Sequence, residues 1–205
     1  MLKIHHIEGR RSERIAWVME ELGLPYELSF RLGDVPGSLA AMDGVHAMRM
    51  APIVEDDGRV LVESGAIVEY LLAKYGGGRL VPAVGTEDHL NYLIFMHFAE
   101  GSAAPRLLPP FFAKFRGGPA DAQQMAAAGR VMSFVEAELQ KRRYFGGDDF
   151  TGADIMMHFP MKLAVSLYRD RTLYPAMSAW FDKITARPAF KAAMAKALPN
   201  GPPSM

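Results

Sequence analysis

The sequence contains no cysteine among its 205 residues. Disulfides, thiolate metal sites and a cysteine nucleophile are therefore excluded, and any reacting sulfur must arrive with a ligand. The sequence also lacks an excess of charge, because 23 lysine and arginine residues balance 23 aspartate and glutamate residues. Nothing in this balance favours binding to nucleic acid or to an anionic membrane surface.

Long apolar runs and metal-binding patterns are absent as well. No stretch of about 18 apolar residues occurs, and the opening residues enter a folded pattern without the apolar core of a signal peptide. We therefore predict a cytoplasmic protein without a membrane segment. The six histidines show no metal-ligand spacing with neighbouring carboxylates, so we predict that no metal is bound.

The first 76 residues show strand and helix patterns in alternation. A helix between the first two strands makes that pair parallel, and a hairpin and a second helix complete a βαβ-ββα order. Ser64 is predicted to cap the second helix, and residues 31–51 are predicted to be irregular. The predicted strands are 2–7, 26–30, 53–55 and 60–62, and the predicted helices are 12–22 and 65–75.

Glycine-rich residues 77–86 predict a linker, and residues 87–205 show only helical patterns. The aromatic and methionine side chains of this second domain can build an adaptable apolar wall, or they belong to an ordinary helical core. The tail from Pro199 to Met205 is predicted to be loosely ordered. The predicted helices are about 87–114, 120–142, 152–168, 175–186 and 189–197.

Five local motifs add more specific information. They are Ile4-His5-His6-Ile7, Arg11 to Trp17, Ala51-Pro52-Ile53, Glu63-Ser64-Gly65-Ala66-Ile67 and Phe150-Thr151-Gly152-Ala153-Asp154-Ile155. Together they resemble the glutathione S-transferase family, and the opening resembles a cysteine-free bacterial and fungal branch of it. The resemblance implies an α/β thioredoxin-like domain at 1–76 followed by an all-α domain. It also implies glutathione as co-substrate, a hydrophobic pocket in the helical domain at 87–205 for a small hydrophobic electrophile, and a homodimer.

Glu63 and Ser64 are predicted to bind the γ-glutamyl end of glutathione. A serine at a helix N-terminus leaves a hydroxyl and backbone N–H groups that favour a carboxylate, and Glu63 can balance an ammonium group. The γ-glutamyl end carries both of these charges. The alternative is a simple helix cap beside a solvated glutamate.

Pro52, Ile53 and Arg49 are the other predicted glutathione-binding residues. The resemblance implies a cis bond before Pro52 and backbone pairing of Ile53 with the cysteinyl residue of glutathione. The family often has a lysine just before Ala-Pro to hold the glycyl carboxylate, but this sequence has Met50 there. Arg49 either replaces that lysine or points to solvent.

The catalytic position departs from the family pattern. When the sequence is matched on Arg14, the usual serine position holds Arg10, and Ser12 is the first hydroxyl after the first strand. Arg10 could lower the pKa of the bound thiol as a nearby cation, with a hydrogen bond from Ser12. Alternatively, Ser12 only caps the first helix and Arg10 is a solvated charge. The first alternative predicts a transferase, and the second predicts a glutathione-binding carrier with little or no transferase activity.

A third hypothesis is an interaction scaffold that binds no glutathione, which the Glu63-Ser64 pair argues against. Thr151 and Asp154 are predicted to form a capping box, with Phe150 and Ile155 at the positions of a hydrophobic staple. We expect this last motif to start a core helix and to take no part in chemistry.

Overall fold

The computed structural model describes residues 1–201, which divide into two compact units. The first unit contains residues 1–77 together with the described residues from 186 onward, and the second contains 78–185. The last helix therefore packs in the first unit, although the sequence analysis placed it in the helical domain. Residues 202–205 belong to the tail that was predicted to be loosely ordered, and they lie outside the described residues.

A four-stranded sheet forms the centre of the first unit. Its strands are β1 (Leu2–His5), β2 (Tyr26–Ser29), β3 (Ile53–Asp56) and β4 (Arg59–Leu61), in the order β2-β1-β3-β4. β1 and β2 are parallel, whereas β3 is antiparallel to both β1 and β4. The predicted strand directions are confirmed, because the helix between β1 and β2 returns the chain to the same end of the sheet.

Nine α-helices are described within residues 1–201. One of them, in the stretch predicted to be irregular, is only six residues long and contains Pro36 and Gly37, which the sequence analysis took as loop residues. The Asp34 side chain accepts a hydrogen bond from the Gly37 N–H at its start. The helices are α1 (Glu13–Leu22), α2 (Val35–Ala40), α3 (Ser64–Tyr75), α4 (Glu87–Phe98), α5 (Ala104–Phe115), α6 (Ala122–Lys141), α7 (Gly152–Leu167), α8 (Pro175–Thr185) and α9 (Pro188–Ala197).

α1 is the central helix of the first unit and contacts both α3 and α9. It is buried along most of its length and ends at Gly23, whose φ of 69° is readily available only to glycine. The core of the unit lies between this helix and the sheet. Its fully buried side chains include Ile4, Ile15, Trp17, Val18, Ile53, Ile67 and Leu71.

The second unit is helical from α4 to α8. α4 and α5 are joined by a π-helical turn at Ala99–Ala103, so the single helix predicted at 87–114 is one helical run with a local change of winding. α7 is buried on nearly all sides and contacts α4, α5 and α8. None of the helices described in residues 1–201 combines the length and apolar character that a membrane crossing requires.

The start of α7 confirms the predicted capping box. The Thr151 side chain accepts from the backbone of the first turn, and the Asp154 carboxylate accepts from the Thr151 N–H at 2.9 Å. The same carboxylate also accepts from the Trp180 indole at 2.8 Å and from the Phe145 N–H at 3.0 Å. This motif therefore joins three segments of the second unit.

Candidate functional site

The N-terminus of α3 is the best-formed binding group in the first unit. Ser64 is the first helical residue, and the exposed Glu63 precedes it with a φ of 67°, a value uncommon for a residue with a side chain. Ile67 N–H donates to the Glu63 carbonyl at 2.9 Å and closes the first turn. The N–H groups of Ser64, Gly65 and Ala66 have no carbonyl inside the helix to bind, so this end favours a carboxylate.

The prediction that Ser64 caps α3 with its hydroxyl is wrong. The hydroxyl is buried and accepts a hydrogen bond from Arg14 Nη1 at 2.9 Å. Arg14 is only 1% exposed and lies in the first turn of α1, so this contact ties the beginnings of α1 and α3 together. In the sequence, Arg14 served only as the residue on which the motif was matched. Its spacing of four residues from the buried Val18, and of eight from Leu22, places it on the apolar face of the helix, and this was the signal that it has a buried partner.

The segment before β3 has the predicted backbone geometry. The Ala51–Pro52 bond is cis, and Pro52 and Ile53 are both buried. On one side, Ile53 is opposite His5 of β1. On the other side, the pairing of β3 with β4 begins only at Val54, so the backbone of Ile53 lies just beyond the end of that ladder.

A small apolar cluster brings three predicted site segments together. Ile7 lies in the loop after β1, Ile53 follows Pro52, and Val62 precedes Glu63. Because all three pack in one cluster, the segments that carry the predicted binding residues meet at one place in the first unit. The cluster consists of the buried Ile7, Met42 and Ile53 and the partly buried Leu39, Val45, Ala51 and Val62.

Arg49 lies at the surface of the loop that leads to Pro52. Its Nε pairs with the Asp43 carboxylate, and 60% of its side chain is exposed. The ion pair holds the guanidinium on the loop without burying it. Binding of a glycyl carboxylate by Arg49 therefore stays a prediction.

Ser12 occupies a different environment from the one the sequence analysis expected. It is the N-cap residue of α1, as the second alternative predicted, but its side chain makes no capping hydrogen bond. The fully buried hydroxyl lies 2.8 Å from His6 Nδ1, 3.1 Å from Ile7 N and 3.2 Å from Ile7 O. This enclosure does not support a direct hydrogen bond from Ser12 to a bound thiol. His6, to which the sequence analysis gave no role, is its nearest polar partner among these three contacts.

Arg10 is exposed on the same loop. Its backbone N–H donates to the Ile7 carbonyl, and its carbonyl accepts from the Glu13 N–H, both at 3.2 Å. The backbone of the loop is thus held by hydrogen bonds while the guanidinium faces outward. Of the two predicted catalytic residues, Arg10 is the one that a ligand can reach directly.

Metal binding has no candidate centre in the part of the chain that the structure describes. There, no three His, Cys, Asp or Glu side chains are grouped so that they could hold a metal ion. The arrangement described above can instead bind a small zwitterion through a helix terminus, an exposed carboxylate and an unpaired backbone edge.

Two family models match the chain. "Glutathione S-transferase, N-terminal domain" matches residues 5–79, and "Glutathione S-transferase, C-terminal domain" matches residues 100–188. Among similar proteins, glutathione S-transferase 3 of Zea mays is 30% identical, over 93% of this chain and 90% of its own length. Glutathione S-transferase 3 of Schizosaccharomyces pombe is 29% identical, over 98% of this chain and 89% of its own length.

Solved structures show the same similarity in three dimensions. A glutathione S-transferase from Actinobacillus pleuropneumoniae has a TM-score of 0.82 and 27% identity, covering 98% of this chain and 94% of that one. A glutathione transferase from Phanerochaete chrysosporium, solved with oxidized glutathione, has a TM-score of 0.81 and 23% identity, covering 96% of each chain. The second comparison supports the fold alone.

Proposed function

Because the chain belongs to the glutathione S-transferase family, we propose that it binds glutathione in its first unit and directs the thiolate onto a small hydrophobic electrophile. The observation that carries this proposal is the free N-terminus of α3 beside the exposed carboxylate of Glu63. These groups complement the carboxylate and the ammonium of a γ-glutamyl residue. The apolar cluster places the Pro52-Ile53 segment next to them.

Each part of glutathione has a proposed partner. The γ-glutamyl carboxylate receives hydrogen bonds from the backbone of Ser64 and Gly65, and its ammonium pairs with Glu63. The cysteinyl residue pairs with the backbone of Ile53, where the β3–β4 ladder has ended. The glycyl carboxylate is near Arg49. Ser64 and Arg14 hold the two helix ends in place beneath the ligand.

Arg10 is the proposed activating residue. A guanidinium close to a thiol favours the charged thiolate and lowers the pKa of the thiol, and the thiolate is the reactive nucleophile. Ser12, being enclosed, acts on the loop and not on the sulfur. This assignment replaces a catalytic hydroxyl with a cation.

The electrophile is proposed to be small and hydrophobic. The last turns of α5 in the second unit carry three phenylalanines that remain partly or largely exposed. Phe111 and Phe115 are stacked with centroids 6.3 Å apart, and Phe112 meets Phe111 edge to face at 5.6 Å. Such a surface binds apolar and aromatic molecules without fixing their chemical identity.

A carrier that binds glutathione without activating it is the second candidate. The observation that favours it is the arginine at the position where the family usually has a serine. The two candidates differ in a single measurable property, which is the thiol pKa of bound glutathione. A cytoplasmic location stays a prediction in either case.

Binding and activation are tested in sequence. Calorimetric titration with glutathione should show at least a tenfold weaker affinity for Glu63→Ala, since the charge-assisted contact with the ammonium contributes roughly 1.5–3 kcal/mol. Glu27→Ala, an exposed glutamate on β2, serves as the control and should bind like the wild type. A wild-type protein that binds no glutathione would overturn the proposal.

Ultraviolet absorbance of the thiolate then gives the thiol pKa in the complex. For a transferase it lies below that of free glutathione, it rises in Arg10→Ala, and it stays low in Arg10→Lys, which keeps the charge. Bound glutathione with an unshifted pKa would identify a carrier.

We also propose that two copies of the chain form a homodimer. α4 presents Leu90, Leu93 and Ile94 to solvent, with exposures of 57%, 38% and 44%. Their spacing of three and four residues places them on one side of the helix. An exposed apolar face of this kind is typical of a subunit contact.

A further inference from the structure

His6 lies at the junction of β1, the loop before α1 and the end of α9. The ring is fully buried, and its Nδ1 is 2.8 Å from Ser12 Oγ while its Nε2 is 2.8 Å from the carbonyl oxygen of Ala197. Phe30 packs edge to face against it, with centroids 4.8 Å apart. One imidazole therefore contacts residues that are 6 and 191 positions away along the chain.

The partners determine where the protons lie. The Ala197 carbonyl can only accept, so His6 Nε2 carries a hydrogen and donates it. In the neutral ring Nδ1 is then an acceptor, and the Ser12 hydroxyl donates to it. The hydroxyl oxygen is left to accept from the Ile7 N–H at 3.1 Å. The result is a directed chain of hydrogen bonds from the loop to the C-terminal helix.

The loop end of this chain fixes the backbone that carries Arg10. Ser12 holds the Ile7 N–H, and the Ile7 carbonyl in turn accepts from the Arg10 N–H. A change in the direction of the Ser12 hydroxyl therefore acts on the turn from Ile7 to Arg10. No other side-chain hydroxyl lies between β1 and α1.

The other end depends on how α9 is seated. Ala197 is the last residue of α9, and the helix is held on α1 at both ends. Arg187 binds Glu21 through two hydrogen bonds of 2.6 and 2.8 Å, and Lys196 pairs with Glu20 at 2.6 Å.

We propose that His6 is a positioning residue that couples the seating of α9 to the loop carrying Arg10. The position of α9 thereby sets the geometry of the loop at which the glutathione thiol is activated. The consequence for catalysis rests on the proposed function, whereas the coupling itself is a property of the free protein. Coupling of this kind is reciprocal, so a change in α9 must alter the loop, and a change in the loop must alter α9.

The test uses amide hydrogen exchange on the full chain without ligand, followed over residues 7–12 and 193–198. Ser12→Ala removes the loop contact, and Lys196→Ala loosens α9 without touching the loop. We expect Ser12→Ala to speed exchange at 193–198 and Lys196→Ala to speed exchange at 7–12, each by about fivefold, the effect of one hydrogen bond. His6→Gln should speed both.

His5→Gln is the matched control. His5 is also buried, but its Nε2 pairs with Glu55 at 2.7 Å and not with the loop or α9. The His5→Gln variant should keep the amide exchange rates of both segments within twofold of those of the wild type. If Ser12→Ala and Lys196→Ala each change only their own segment, the coupling is overturned, even where His6→Gln fails to fold.

Kinetics with a model electrophile then separates positioning from general loss of structure. We expect Lys196→Ala to lower kcat with an almost unchanged KM for glutathione, because it changes the loop and not the γ-glutamyl site. An equal fall in every variant, including His5→Gln, would contradict the positioning role. A wild type that binds no glutathione would overturn the proposed function, and the exchange data would still decide the coupling.

Discussion

Two buried aspartates show how the same side chain responds to different surroundings. Asp56, at the end of β3, accepts hydrogen bonds from Lys74 and Tyr70 at 2.8 Å and from Tyr75 at 2.9 Å. Burial raises the pKa of this carboxyl, but these partners outweigh burial and hold the pKa below its ordinary value. The negative form of Asp56 is therefore the stable form in the folded protein.

At Asp154, burial outweighs the hydrogen bonds. Burial raises the pKa of its carboxyl to about 6, although hydrogen bonds from Phe145, Trp180 and Thr151 act to lower it. Between its ordinary value of 3.8 and about 6, the folded protein holds a proton that the unfolded chain releases. The contribution of Asp154 to the free energy of unfolding is therefore complete below its ordinary pKa. It is lost as the pH rises through the pKa that Asp154 has in the folded protein.

Asp56→Asn and Asp154→Asn should consequently give opposite pH profiles, and each variant is the control for the other. The decrease in the free energy of unfolding caused by Asp56→Asn should be largest above about pH 4 and become smaller in more acidic solution. The loss in Asp154→Asn should be largest below about pH 4 and smaller by on the order of 3 kcal/mol near neutral pH. Urea unfolding from pH 3 to 7 measures both, and profiles with the same sign would contradict the assignment.

The start of α8 depends on a carboxylate from another helix. Glu136 of α6 accepts from the N–H groups of Ala176 and Met177, both at 2.9 Å, and is itself buried. It therefore satisfies two donors of the first turn that have no partner inside the helix.

Glu136→Gln should destabilise the protein by about 1–3 kcal/mol, because an amide has one acceptor oxygen where the carboxylate has two. Amide exchange at Ala176 and Met177 should speed up along with the loss in urea unfolding. Asp182→Asn, on α8 itself, removes an exposed ion pair with Arg171 and should cost less than about 1 kcal/mol. Equal losses in the two variants would mean that Glu136 does not act as the cap.

An element could be predicted when the residues that stabilise it lie close together in the sequence. The capping box of α7 joins Thr151 to Asp154 across three residues, and a reader of the sequence can see both partners. Glu136 and α8 are 40 residues apart, and His6 and Ala197 are 191 apart, so neither contact leaves a local pattern. The short helix α2 was missed because its proline and glycine are also typical of loops.

The site was predictable to a similar extent. The cis bond before Pro52 and the position of Glu63 just before α3 were expected from the motifs that contain them. The burial of Ser12 and Ser64 was not, because a serine before a helix is equally compatible with a cap and with a buried contact. Both hydroxyls bind side chains, His6 and Arg14, whose positions depend on the fold.

At the scale of the whole molecule, the exposed face of α4 makes the oligomeric state testable. Leu93→Glu with Ile94→Glu places two charges on the proposed contact, which should convert a dimer of 22.6 kDa chains into monomers in light scattering after gel filtration. Leu173→Glu, at a leucine that is 58% exposed and lies outside α4, should leave the dimer intact. A wild-type protein that is monomeric at micromolar concentration would contradict the proposed homodimer.

The division of the chain also affects how it is made. The first unit takes its last helix from the final residues of the chain, whereas the second unit is continuous from 78 to 185. Because a ribosome makes the chain from its N-terminus, all residues of the second unit have been synthesised before α9 is made. The sheet and α1 must wait for it, with the α9-binding face of α1 uncovered. The part of the protein that begins first in synthesis is therefore finished last.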